Sequence, residues 1–186
     1  MPRLRFLDLF MEGHKGYIAG GCFKHLFRGE KIKDVDVFFV NEADAKEADS
    51  MFSKNEGFKY HYGNERVKGY KCQKTGIVCE LIFSHYGDPL SMISNFDFTV
   101  TKAFYSKNEE SGNYEFIFHD RFFEHIANRK LVIDDKILFP LSTFNRSFRY
   151  AMKYGFGLCG ESKERLIIAL QGFDGGAQFD FYFGID

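Results

Sequence analysis

Two aspartates one residue apart, Asp34 and Asp36, open an otherwise apolar run, Lys33 to Val40 (KDVDVFFV). On an extended strand side chains alternate between faces, so both carboxylates project to one side, about 7 Å apart at Cα, while Val35 and Val37 take the other. Like charges that close repel and raise one pKa unless a cation lies between them, and oxygen ligands of this kind suit Mg²⁺. Two divalent ions about 4 Å apart can lower the pKa of an attacking hydroxyl and neutralise the oxygens of a transferring phosphoryl or nucleotidyl group. Upstream, the short apolar run YIA ends in Gly20 and Gly21, followed by a helix-forming segment that closes at Gly29. Without Cβ atoms the glycine turn lets the backbone come close to a ligand, and the N–H groups opening the helix favour an anion. Strand, glycine pair, helix and a second strand carrying D-x-D therefore predict phosphate and metal chemistry in one short stretch.

The remaining segments predict an α+β chain. Leu4 to Met11 reads as a short helix, and Glu42 to Ser53 as a solvated helix with opposite charges at helical spacing. GFKYHYGN, RVKGYKCQ and GIVCELIFS read as strands, the last two joined by the turn KTG. DPLSMISNF reads as a short helix with Asp88 as cap and Pro89 at its first position. FTVTKAFYS and NYEFIFH, separated by KNEESG, form a further hairpin. Helices follow in DRFFEHIANR, with Asp120 as cap, then in PLSTFNRSFRYAMKYG and SKERLIIALQG. The terminal FDFYFG alternates Phe179, Phe181 and Phe183 on one face of an added strand. The expected organisation is a core over 1–118 and a helical region over 119–186 packed on it.

Composition narrows the partners. With 25 basic and 26 acidic residues the chain lacks the overall positive footprint of a general nucleic-acid binder. Cys22, Cys72, Cys79 and Cys159 are dispersed without C-x-x-C or metal spacing, and no apolar run has membrane-spanning length. The expectation is reduced core thiols in a cytoplasmic protein that makes no membrane contact.

The stretch GGCFKHLFRGEKIKDVDVFF resembles the DNA polymerase β-like nucleotidyltransferases, in particular the head and neck of CCA-adding enzymes and bacterial poly(A) polymerases, in a minimal phage- or bacterial-type form. That branch has G-G-x-V-R-D, a short helix ending in Gly, and K-D-x-D before hydrophobic residues. Here Lys24 stands in place of its Arg and His25 in place of its Asp. FDFTVTKAFY resembles R-R-D-F-T-I-N-A-x-A-Y at Asp97, Phe98, Thr99 and Tyr105, with Asn95 and Phe96 replacing the arginine pair. PLSTFNRSFRYAMKYGF resembles the helix P-L-R-x-L-R-x-x-R-F-x-x-K-x-G-F, keeping Arg146, Arg149, Tyr150, Lys153, Gly155 and Phe156. The E-D-x-x-R nucleotide-selecting motif is not recognisable, and about thirty residues follow Phe156, too few for the long helical body that holds tRNA.

The resemblance implies a polymerase β-like mixed sheet with flanking helices and a short helical region after it. It implies Mg²⁺-dependent transfer of a nucleoside monophosphate from an NTP to an acceptor hydroxyl, with release of pyrophosphate. Asp34 and Asp36, with a third carboxylate on a neighbouring strand, would hold two Mg²⁺ ions, or Mn²⁺ in their place. Glu80, flanked by apolar residues on both sides, is the first choice for that third ligand. Asp97 is the alternative, either as ligand or as a brace bonding backbone groups. Gly20, Gly21 and Lys24 would grip the triphosphate. Arg146, Arg149 and Lys153, at i, i+3 and i+7 on one helical face, would reach it or pair with surface carboxylates. The acceptor is an RNA 3′ end, a protein side chain or a small molecule. A second expectation, favoured by His25 and the replaced arginine pair, is a catalytically degenerate module that binds a nucleotide or a protein.

Overall fold

The computed structural model describes residues 2–108, 110–134 and 137–173. The chain divides into two compact units, Met1–Ile93 with Ala103–Phe118 and Ser94–Lys102 with His119–Asp186. The expected strand at Phe179, Phe181 and Phe183 lies outside the described residues.

In the first unit the chain runs β1 (Tyr17–Ala19), α1 (Cys22–Arg28), β2 (Asp34–Phe39), α2 (Glu42–Lys54), β3 (Phe58–Gly63), β4 (Val67–Cys72), β5 (Val78–Tyr86), α3 (Pro89–Ser94), β6 (Ala103–Lys107) and β7 (Tyr114–Phe118). The strands form one seven-stranded sheet in the order β3-β4-β5-β2-β1-β6-β7. β2 and β5 run parallel, and the other neighbours antiparallel. This is the mixed α+β sheet expected from the sequence.

Local chemistry sets the ends of these elements. The opening segment is a 3₁₀ helix, Pro2–Phe10, rather than an α-helix. Its buried residues Leu4, Leu7 and Phe10 recur every third position, which a three-residue turn places on one edge. α1 stops at Gly29, whose left-handed φ of 70° lets its N–H reach the carbonyls of His25 and Leu26. Asn41 caps α2 by accepting the Asp44 N–H at 2.9 Å. That helix is less solvated than its composition suggests, since Ala45, Ala48 and Phe52 are buried and the Phe52 ring meets Phe58 and Tyr70. Asp88 accepts the Ser91 N–H at 3.0 Å at the start of α3, as expected.

The turn after β1 depends on Gly20, which has φ 95° while its N–H donates to the Ala103 carbonyl at 3.1 Å. A side chain there meets the steric penalty of the left-handed region. Gly20→Ala is expected to lower unfolding stability by about 1–2 kcal/mol in urea titrations.

The second unit holds a 3₁₀ turn at Thr99–Thr101, α4 (Phe122–Ala127), β8 (Lys130–Leu131), α5 (Pro140–Tyr154), β9 (Gly157–Leu158) and α6 (Gly160–Gln171). The stretch FTVT, expected as strand, is this turn, because the Thr101 hydroxyl donates to the Phe98 carbonyl at 2.8 Å and competes with strand pairing. Asp120 lies one residue before the α4 cap position, held by Arg121, and accepts the Arg121 N–H at 2.7 Å. Pro140 opens α5 and Gly155, at φ 67°, closes it. All four cysteines are free thiols, three of them buried. Among the described residues no helix is long and apolar enough to cross a membrane.

Candidate active site

Strand register builds the site. Asp36 is opposite Ala19 on β1 and Glu80 on β5, Glu80 is opposite Gly69 on β4, and Gly69 is opposite Tyr62 on β3. Neighbouring strands lie about 4.8 Å apart, so these residues form one row across five strands, and their side chains share a face. Asp34 joins that face two residues along β2, while Val35, Val37 and Phe39 fill the opposite face and are fully buried. The row explains why β2 tolerates carboxylates: each acidic residue occupies the non-core side of its strand.

Burial is graded along the cluster, from exposed Asp34 through half-buried Asp36 to buried Glu80. Burial, then the charges of Glu80 and Asp34, push the Asp36 carboxyl well above the usual range, and Lys24 pulls it partly back. Burial also raises Glu80, against hydrogen bonds from Tyr62 and Asp36. Asp36 and Glu80 are thus two neighbouring carboxyls both raised by burial, a pairing whose charge a cation would balance. All three donors are hard carboxylate oxygens, the set that suits Mg²⁺ or Mn²⁺ rather than a soft metal. As the side chains stand, among the described residues no three His, Cys, Asp or Glu groups close on a single ion. Glu80 is engaged instead by Tyr62, whose hydroxyl donates to Oε1.

Tyr62 is the residue that sequence reasoning missed. A register irregularity between Tyr60 and Tyr62 brings Tyr62 opposite Gly69, so the bulge turns its ring onto the carboxylate row. Gly69 leaves the space: a Cβ there would lie 2.9–3.1 Å from three atoms of the Tyr62 ring. The available signal was the glycine inside RVKGYKC, since glycine within a strand marks a bulge or a close approach. Tyr62→Phe is expected to cost about 1 kcal/mol of stability, because the lost bond serves a buried carboxylate from a partly exposed phenol. Gly69→Ala should displace the same ring at similar cost, and the double variant should cost no more than the larger single change, a non-additivity that urea unfolding measures directly.

The glycine turn lies beside the row. Lys24 is buried, at 2% exposure, and its ammonium donates to the Gly21 carbonyl at 3.1 Å and to His25 Nε2 at 2.8 Å. His25 Nδ1 meets Glu30 at 2.7 Å, and Arg28 Nε meets the other oxygen of Glu30 at 2.7 Å. α1 is only seven residues long, so the turn's attraction for an anion rests on Lys24 and the open backbone more than on a helix dipole.

The other predicted residues fall in the second unit. Asp97, 8% exposed, is paired with Arg146, which gives that carboxylate a bracing contact within its own unit. Arg149 stands over the Tyr150 ring at 5.9 Å. Lys153 is exposed in the last turn of α5, where a cation suits the helix end. The structure thus brings Asp34, Asp36, Glu80, Gly20, Gly21 and Lys24 together in one unit, and Asp97 with Arg146 in the other.

Comparison with known proteins bears on the family and the fold. A family model described as Gad2, Gabija anti-defense 2 family protein, matches residues 4–129. The chain is similar to "Gabija anti-defense 2" of Bacillus phage SPbetaL7, with 26% identity over 144 residues, 77% of this chain and 34% of that protein. It spans about a third of that relative's length. Among solved structures it is similar to a tRNA nucleotidyltransferase complexed with a primer tRNA and an incoming ATP analog, at a TM-score of 0.61 and 19% identity over 91% of this chain and 50% of that one. A tRNA-processing enzyme in an apo form gives a TM-score of 0.66 and 18% identity, covering 91% of this chain and 45% of that one. The Thermotoga maritima CCA-adding enzyme complexed with tRNA gives 0.59 and 16%, covering 90% and 42% respectively. At these identities the likeness establishes the nucleotidyltransferase fold.

Proposed function

The chain belongs to the Gabija anti-defense 2 family, and from that membership and the carboxylate row we propose that it counters a Gabija defence as a divalent-metal-dependent nucleotidyltransferase. It moves a nucleoside monophosphate from an NTP to an acceptor hydroxyl and releases pyrophosphate. The observation that carries this reading is the register that puts Asp36 beside Glu80 on one face of a nucleotidyltransferase-type sheet, with Asp34 next to them.

Asp34, Asp36 and Glu80 are the residues that would hold the ions. Divalent metal bound there would supply a lowered pKa for the attacking hydroxyl and neutralise the phosphoryl oxygens. The chain's own residues do the rest. The turn at Gly20 and Gly21 lets phosphate oxygens approach the backbone. The buried Lys24 ammonium lies close enough to Asp36 to oppose its charge, and there it balances a triphosphate without hydration competing. Release of pyrophosphate is favoured when its negative charge leaves against a fixed cation rather than into an empty apolar wall.

A second reading, a module that binds a nucleotide or a protein partner without turning it over, is supported by His25 and by Asn95 and Phe96, which stand where the pattern this chain resembles carries an aspartate and an arginine pair. Incubation of the full chain with each α-labelled NTP, Mg²⁺ and a cell extract, followed by separation of RNA, protein and small molecules, tests the two. Transfer predicts label in one of these fractions together with pyrophosphate. Calorimetric NTP binding with no pyrophosphate from any fraction supports the binding module and overturns the enzyme.

A further inference from the structure

A buried lysine needs every N–H of its ammonium accounted for, and in Lys24 two are placed by neighbours in its own loop. The ammonium has no lone pair, so its 2.8 Å contact with His25 requires Nε2 to be the acceptor and puts the imidazole proton on Nδ1. That proton points at Glu30 Oε2, 2.7 Å away. Glu30 is itself fixed from two sides, by Arg28 Nε at 2.7 Å and by its own N–H, which donates to the His25 carbonyl at 2.9 Å just after the left-handed Gly29. The result is a continuous carboxylate–imidazole–ammonium chain within the ten residues Gly21 to Glu30.

We propose that His25 and Glu30 are positioning residues that clamp the Lys24 ammonium against the glycine turn and aim its charge at the phosphates of a bound nucleoside triphosphate. The assignment rests on the nucleotidyltransferase reading above, which supplies the triphosphate. Lysine is a point charge on a flexible four-carbon stem and does not orient itself as a guanidinium fork does. His25 supplies that orientation from outside, and Glu30 keeps the ring in the tautomer that can accept. The charged groups acting on His25 are Lys24, Glu30 and Asp34. Burial and the Lys24 charge hold it neutral, as an acceptor to an ammonium must be.

Two measurements on the full chain test the assignment. The first, ¹⁵N NMR without nucleotide, should show His25 as the neutral Nδ1–H tautomer at pH 7. An Nε2–H tautomer or an imidazolium overturns the chain of bonds whatever the protein's activity. The second is calorimetry with inorganic tripolyphosphate. His25→Leu should weaken binding about tenfold, on the scale of one charge-assisted hydrogen bond. His25→Gln, whose amide oxygen accepts from Lys24 and whose NH₂ donates to Glu30, should stay within about threefold of wild type. Lys24→Met should lose most of the binding. A structural role alone would lower the melting temperature without separating Leu from Gln in affinity. If Lys24→Met weakens binding and His25→Leu does not, the positioning role falls while the nucleotide reading stands. Absence of tripolyphosphate binding to wild type overturns both.

Discussion

Asp36→Asn should abolish nucleotidyl transfer, lowering its rate on the order of 10³-fold or more, with the fold intact by circular dichroism. The amide keeps the shape of the carboxylate but not its charge, and Asp36 links the other two carboxylates, lying beside Glu80 across the strands and two residues from Asp34 along β2. Asp34→Asn should act in the same direction. Asp34 is exposed and so contributes its charge through water as well as across the site. The assay is incorporation of labelled nucleotide in Mg²⁺, with pyrophosphate counted in parallel. Equal incorporation by wild type and the double variant removes these carboxylates from the chemistry. Glu80→Gln is more ambiguous as a first test, because it changes the Tyr62 contact at the same time.

The legible part of this site is the part written in strand alternation. Asp34 and Asp36 differ by two positions, and no tertiary information is needed to put them on one face. Glu80 could be chosen from its apolar flanks, but only the parallel pairing of β2 with β5 brings it beside Asp36, a long-range contact that neither segment encodes alone. For Tyr62 the glycine in RVKGYKC signalled only a close approach, and which ring makes it depends on a one-residue irregularity in β3 that reverses what alternation predicts. The Gly29 stop and the Asp88 cap were local and came out where turn chemistry put them, whereas the Asn41 cap emerged only from the structure. Thr99 to Thr101 went the other way: β-branched residues suggest a strand, and side-chain bonding to the backbone made a 3₁₀ turn. Lys24 and His25 looked like departures from a pattern, and what the sequence did not show is that Glu30, five residues on from His25, ties them into one bonded chain.

Asp36→Asn should also make the metal-free protein more stable, and by more as the pH rises. A carboxyl whose folded pKa lies above its unfolded value binds its proton more tightly in the fold, so its contribution is fully present below the unfolded pKa, about 3.9, and is lost as pH climbs through the raised folded value. Glu80, also raised, has the same sign. His14, His25, His85 and His125 are shifted down and oppose this trend, because they favour the fold above about pH 6.5 and cost stability below it. Wild type alone therefore shows a blunted pH profile, and the difference between wild type and Asp36→Asn isolates the carboxylate. In EDTA that difference in melting temperature should widen between pH 5 and pH 8, at roughly 2–4 °C for each kcal/mol in a chain of this size. Mg²⁺ should raise the wild-type midpoint at pH 8 and close the gap, because it binds the ionised carboxylates of the fold and offsets the repulsion between them. A gap that is constant with pH, or unchanged by Mg²⁺, would mean that Asp36 is not the strained group of the row. The expected pattern has a simple origin: a sheet that could have carried an asparagine at this position more stably carries a carboxylate whose charge Lys24 offsets in part and a bound cation would balance.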